Sequence, residues 1–100
     1  MKSQLLIPPA AARDSKAVEM ARVWIAEAGL HCALNIGIYE AREGVAWGVI
    51  LADIARHVSD AIEQSGGMPA HAALATIQES FERELDSQTS AADGEFSGRA

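Results

Sequence analysis

One cysteine in 100 residues has nothing to pair with inside the chain. No disulfide can staple the fold, and no Cys-x-x-Cys pair is present to build a zinc or redox centre. Cys32 sits in an alternating apolar run, where a cysteine reads as a small buried hydrophobe of a reducing compartment. Long apolar runs are also missing, and nothing approaches the roughly 18 residues that a membrane span needs. The opening MKSQLLIPPAAAR has the Lys, short apolar run and Ala-x-Ala shape of a secretory signal, but Pro8 and Pro9 interrupt it. The expected location is therefore the cytoplasm, with no membrane partner. Basic residues are few: eight Lys and Arg stand against 14 Asp and Glu, for a net charge of -6. They form no stripe, which excludes nucleic acid as an expected partner. A Gly-rich phosphate loop, a Gly-x-Ser-x-Gly elbow and an HExxH helix are all absent, so no cofactor is indicated.

What is present points to one domain over residues 1–85. A chain of this size buries roughly two-thirds of its unfolded surface without cross-links. SQLLI near the start is at most an edge strand, closed by two prolines that cannot sit inside a helix or a central strand. Asp14 or Ser15 then caps an expected first helix over residues 15–28, where Ala17, Met20, Ala21, Trp24 and Ala28 recur at helical spacing. Gly29 is placed to end it as a left-handed cap. LHCALNIGIY, residues 30–39, alternates with period two, setting Leu30, Cys32, Leu34, Ile36 and Ile38 on a face expected to pack on helices. It is the main strand, and it carries none of the Lys, Glu or Pro that usually blunt an exposed edge.

A long second helix is expected from about residue 43 to residue 64, with Trp47, Ile50, Leu51, Ile54, Val58, Ala61 and Ile62 on one face. Val45, Ala46, Val49 and Ala55 widen its apolar surface, predicting burial on more than one side. Gly66 and Gly67 stop it, and Pro69 opens a third helix with Leu74, Ile77, Phe81 and Leu85 as its core face. Residues 86–100 have the composition of a disordered tail. The fold class is thus α+β, three helices and one main strand, with the sheet completed by homodimerisation.

Candidate chemistry is sparse. Asp53, Arg56, His57 and Asp60 share one helix face at three- and four-residue spacing. Two carboxylates beside a His suit a divalent cation or a tautomer-fixed base, but no further ligand is spaced to complete a metal shell, so no metal is expected. A solvated face of weak ion pairs accounts for the same residues. His31 and Asn35 lie on one strand face across the small Ala33 and are candidates for lining a polar pocket. Ordinary backbone hydrogen bonding accounts for them equally. Trp24 and Trp47, each on an apolar stripe, are expected in a core or interface. The candidate ligand-binding set is therefore His31, Asn35, Asp53 and His57, with no catalytic residue assigned.

GLHCALNIGIYE followed by AWGVILADIARHVSDAI resembles a small bacterial family, domain of unknown function 5076. The likeness is carried by Gly29, Leu30, His31, Trp47, Gly48, Leu51, Ala52, Asp53, Ala55, Arg56 and His57, and the proline pair fits it too. It implies a bacterial, cytoplasmic protein and transfers no functional residue. The expected role is association, as a homodimeric interaction or regulatory module. The alternative is a small enzyme or metal-binding protein using the His/Asp cluster. The two differ in whether His31 converges with the Asp53 face.

Overall fold

A computed structural model of the chain describes residues 4–87. Its elements run α1 (Pro9–Arg13), β1 (Ala21–Ala26), β2 (Gly29–Leu34), α2 (Glu43–Gln64) and α3 (Ala70–Asp86), with a single 3-10 turn at Glu40–Arg42 before α2. The class is α+β: three helices and a two-stranded antiparallel sheet.

The first helix is not where its spacing predicted. Residues 15–28 begin as a helix start would, with Asp14 Oδ1 accepting from Lys16 N at 2.8 Å and Asp14 O from Ala17 N at 3.0 Å. The turn is not propagated. Val23, Trp24 and Ile25 are three successive side chains that lose rotamer freedom in a helix and suit a pleated surface. As β1 they pair with β2 in the register Ala21↔Leu34, Val23↔Cys32 and Ile25↔Leu30. The strand that lacked a partner in the sequence thus finds one immediately upstream. A short α1 over Pro9–Arg13 takes the place of the expected first helix, with Pro9 at its first position, where a missing N–H costs nothing.

Between the strands stand only Glu27 and Ala28, at φ 51° and 62°. Positive φ at both central residues makes this a type I′ turn, whose twist matches the flanking strands. Gly29 is therefore the first residue of β2, paired with Ala26, and not a helix cap. The main strand also stops at Leu34, short of the expected Tyr39. Gly37 turns the chain at φ 108°, and the Glu43 carboxylate takes the N–H groups of Gly37 and Tyr39, each at 3.0 Å, so that these donors face α2 and not a sheet. SQLLI enters no strand pairing within the described residues.

α2 and α3 follow the predicted spans. α2 closes in a Schellman motif: Gly67 N donates to Ile62 O at 2.9 Å and Gly66 N to Glu63 O at 3.1 Å, with Gly66 left-handed at φ 93°. A Cβ on Gly67 would stand 2.9 Å from Ile62 Cγ2 and 3.0 Å from Ile62 O, so this position needs glycine. Pro69 O accepts from Ala72 N and Ala73 N to start α3. Beyond Ser87 the expected tail lies outside the described residues.

The core departs most from expectation. Among the described residues only Ala73 and Ser59 are buried, one on each long helix. The hairpin packs on neither α2 nor α3. Leu30, Ile36 and Ile38, expected against the helices, are exposed, as are Val45 and Val49 on the first half of α2. One chain forms a β-hairpin and a helical hairpin, each without the layer that would cover it.

Candidate functional site

The hairpin's two faces differ in chemistry. Cross-strand partners share a face, so Ala21, Val23 and Ile25 join Leu34, Cys32 and Leu30 on one side, all apolar. Arg22, Trp24 and Ala26 join Ala33, His31 and Gly29 on the other. Both sides are open to water, and on the apolar one Ile25 is 78% and Val23 58% exposed. The bond from Asn35 N to Met20 O, 2.9 Å, fixes the hydrogen-bonding phase. Since pairs alternate, Leu30, Cys32 and Leu34 direct their N–H and C=O groups to the free edge of β2, and Ala21, Val23 and Ile25 to that of β1. Beside β1 runs a trough of about 630 Å³ whose other wall is the apolar stretch from Leu5 to Pro8.

The candidate polar residues are placed as follows. His31 Nε2 lies 3.1 Å from Ala26 O, so the proton sits on Nε2 and the ring donates to a carbonyl of its own hairpin. Asn35 Nδ2 donates to Glu19 O at 3.2 Å, tying the open end of the same hairpin. On α2, Arg56 Nη1 donates to Asp53 Oδ1 at 2.7 Å, an exposed pair of the kind worth about 0.5 kcal/mol. His57 and Asp60 are exposed on that helix. Within one chain His31 and Asn35 belong to one unit and Asp53 and His57 to the other, and no Cα of β1 or β2 lies within 8 Å of one in α2 or α3. Among the described residues no three His, Cys, Asp or Glu side chains gather as a metal would require.

Glu43 is the polar centre that residue patterns missed. Its carboxylate accepts from Gly37 N, Tyr39 N and, at 3.1 Å, from Trp47 Nε1. The Gly37 hydrogen bond foremost, with those from Tyr39 and Trp47, holds its pKa below the ordinary glutamate value against a smaller desolvation effect. Only the Glu43-to-Trp47 spacing of four residues was a usable cue in the sequence. This carboxylate ties the segment leaving the hairpin to the first turn of α2. Trp47 is half-buried beside it, while Trp24 is an exposed member of the hairpin's mixed face.

The helical hairpin carries the second uncovered surface. Its buried residues, Ser59 and Ala73, lie toward the Gly66 turn, while Leu51, Phe81 and Leu85 toward the opposite end are exposed. There the helices frame a mainly apolar cleft of about 580 Å³, lined on α2 by the small Gly48, Ala52 and Ala55 and carrying Arg56 and Glu82 as its charged members. No helix among the described residues is long and apolar enough to cross a membrane.

Fold and surfaces together define a small α+β domain whose two hairpins each present an apolar face without a cover. The chain belongs to the family described as domain of unknown function (DUF5076), whose model matches residues 4–89. It is also similar to a solved structure from the photosynthetic bacterium Rhodopseudomonas palustrus CGA009, described as "a putative pyruvate dehydrogenase". The identity is 29% and the TM-score 0.68, over 100% of this chain and 97% of that one. No curated protein matches the chain.

Proposed function

We propose that this protein works by association with a second copy of itself, as a homodimeric interaction or regulatory module. The observation that carries the reading is the apolar hairpin face that packs on no element of its own chain. A two-stranded hairpin alone is marginal in water and needs further strands or a packed layer. Pairing β2 with β2 antiparallel across a two-fold axis makes a four-stranded sheet and closes the assembly at two. The outward N–H and C=O groups of Leu30, Cys32 and Leu34 support that edge, because the Leu5 to Pro8 stretch already flanks β1. A bacterial, cytoplasmic setting fits the free Cys32 and the bacterial relative.

The relative's description motivates the second reading, a small enzyme or metal-binding protein using His31, Asn35, Asp53 and His57. Such a site needs polar groups that converge on a cavity. His31 and Asn35 are bonded to carbonyls of their own hairpin, and Asp53 to Arg56. Association is the better supported of the two.

Sedimentation equilibrium of the native chain is the test, with a dimer expected at low micromolar concentration. Cys32→Pro removes an outward N–H while sparing the bonds between β1 and β2, and is expected to weaken the dimer. A chain that stays monomeric at tens of micromolar overturns the proposal.

A further inference from the structure

We infer that the dimer is reciprocal: the apolar hairpin face of each copy lies across the α2–α3 cleft of the other. The inference rests on the homodimer reading and specifies which surfaces meet.

Each unit of the chain is one layer of a two-layer fold, and each lacks the other layer. The hairpin offers Val23, Ile25 and Leu30, and the cleft offers Leu51, Phe81 and Leu85, all exposed in the single chain. Two alternative arrangements leave one of these surfaces wet. Helix-on-helix packing of two copies fills the cleft and abandons the hairpin face. Hairpin-on-hairpin packing does the reverse. A hairpin seated on a cleft covers both with one contact.

The connection between the units favours a cover from the second copy. It is not a slack tether: Glu43 holds Gly37 N, Tyr39 N and Trp47 Nε1 together, and the backbone bends at Gly37 and Glu40, φ 108° and 51°. With its exit fixed this way, the hairpin stands clear of the helices of its own chain. A two-fold axis lets each copy supply the layer that its partner lacks, and the exchange closes at two chains.

The area suffices. The uncovered part of each of those six side chains amounts to roughly 100 Å² of apolar surface, so two reciprocal contacts remove about 1,200 Å² from water. That reaches the lower bound of specific interfaces, about 1,200–2,000 Å², before the half-buried Cys32, Leu34, Leu74 and Ile77 are counted.

The native single cysteine gives the test, since Cys32 lies on the hairpin's apolar face. A tagged native chain is refolded together with an untagged Cys32→Ser/Leu85→Cys chain and treated with a short bismaleimide. Cys32→Ser/Gln78→Cys serves as a second partner in case the first does not fold. The expected product is a covalent heterodimer joining Cys32 of one chain to the introduced thiol of the other, mapped by peptide mass. Sedimentation of the same samples separates the possible failures. A stable dimer that gives only links between two Cys32 thiols, or none from either partner, overturns the reciprocal arrangement and leaves the homodimer standing. A third chain, with Leu85→Cys beside the native Cys32, that sediments as a monomer and links those two thiols within itself overturns both, because the hairpin then folds back on its own helices.

Discussion

Ile25 is the position at which covered and uncovered hairpins differ most. In the single chain it leaves 78% of its surface to water. Covering that fraction is worth about 2–3 kcal/mol at roughly 25 cal/mol/Å². Ile25→Thr keeps the β-branch, so strand preference changes little, but it removes the apolar contact and places a hydroxyl that costs about 1–3 kcal/mol if buried without a partner. In a dimer that covers the hairpin the loss is about 2 kcal/mol per protomer at the least. Both copies carry the change, giving about 4 kcal/mol per dimer and roughly a thousandfold rise in Kd at 1.4 kcal/mol per tenfold. If the face is wet, the same substitution stays within about 0.5 kcal/mol per protomer, under roughly fivefold in Kd. Sedimentation equilibrium over a wide concentration range reads the difference, with circular dichroism confirming that α2 and α3 persist. A Kd within fivefold of native refutes a covered face.

Ala28→Gly should stabilise the fold by about 1 kcal/mol in chemical denaturation, since Ala28 holds a left-handed φ of 62° that glycine adopts freely; an unchanged midpoint would mean the turn is not type I′. Gly67→Ala should destabilise it by about 1–3 kcal/mol, because the new Cβ meets Ile62 O and Cγ2 at 3.0 and 2.9 Å; a neutral result by thermal melting counts against the Schellman closure. Glu43 has a depressed folded pKa, so its stabilisation of the loop is complete above the ordinary glutamate value and is lost as pH falls through the lower folded one. NMR shifts of the Gly37 and Tyr39 amides and the Trp47 indole should hold steady from pH 7 to about 5 and move together only below the usual range. A common midpoint at or above that range rejects the three-donor arrangement.

The long helices were legible because several cues agree. Trp47, Ile50, Leu51, Ile54 and Val58 repeat at three and four residues, Gly66 and Gly67 supply the stop, and Pro69 the restart. β1 was not, because MARVWIAEAG satisfies two periods at once. Met20, Trp24 and Ala28 fall at helical spacing, whereas Ala21, Val23 and Ile25 alternate. The preference of Val23, Trp24 and Ile25 for a pleated surface leans to the strand without deciding between these. The ladder with β2 decides, and that partner lies across a turn whose Glu-Ala pair has none of the Asn-Gly chemistry that marks a hairpin. The Glu43 centre was hidden for a related reason, since two of its three donors reach it only after Gly37 has turned the chain.

The candidate site was legible as surface but not as assembly. An apolar stripe states that a face will be covered and is silent on which chain covers it. The polar residues bound the answer. Asp53, Arg56, His57 and Asp60 share one side of α2 at three- and four-residue spacing, all exposed in the single chain, and of these Arg56 also lines the cleft. Leu51, Ile54 and Val58 repeat on the opposite side at the same spacing, next to the cleft that α2 forms with α3, and all three are exposed in the single chain. A partner layer that covers this side leaves Asp53, His57 and Asp60 in water and meets only Arg56 of the charged set. One that sits on the charged side instead must desolvate the Asp53–Arg56 pair, an exposed contact worth little that becomes costly once buried. The cover of α2 therefore comes from the side of Leu51, Ile54 and Val58, continuous with Phe81 and Leu85 across the cleft, where a hairpin face carrying Val23, Ile25 and Leu30 meets these apolar side chains alongside Arg56 and Glu82.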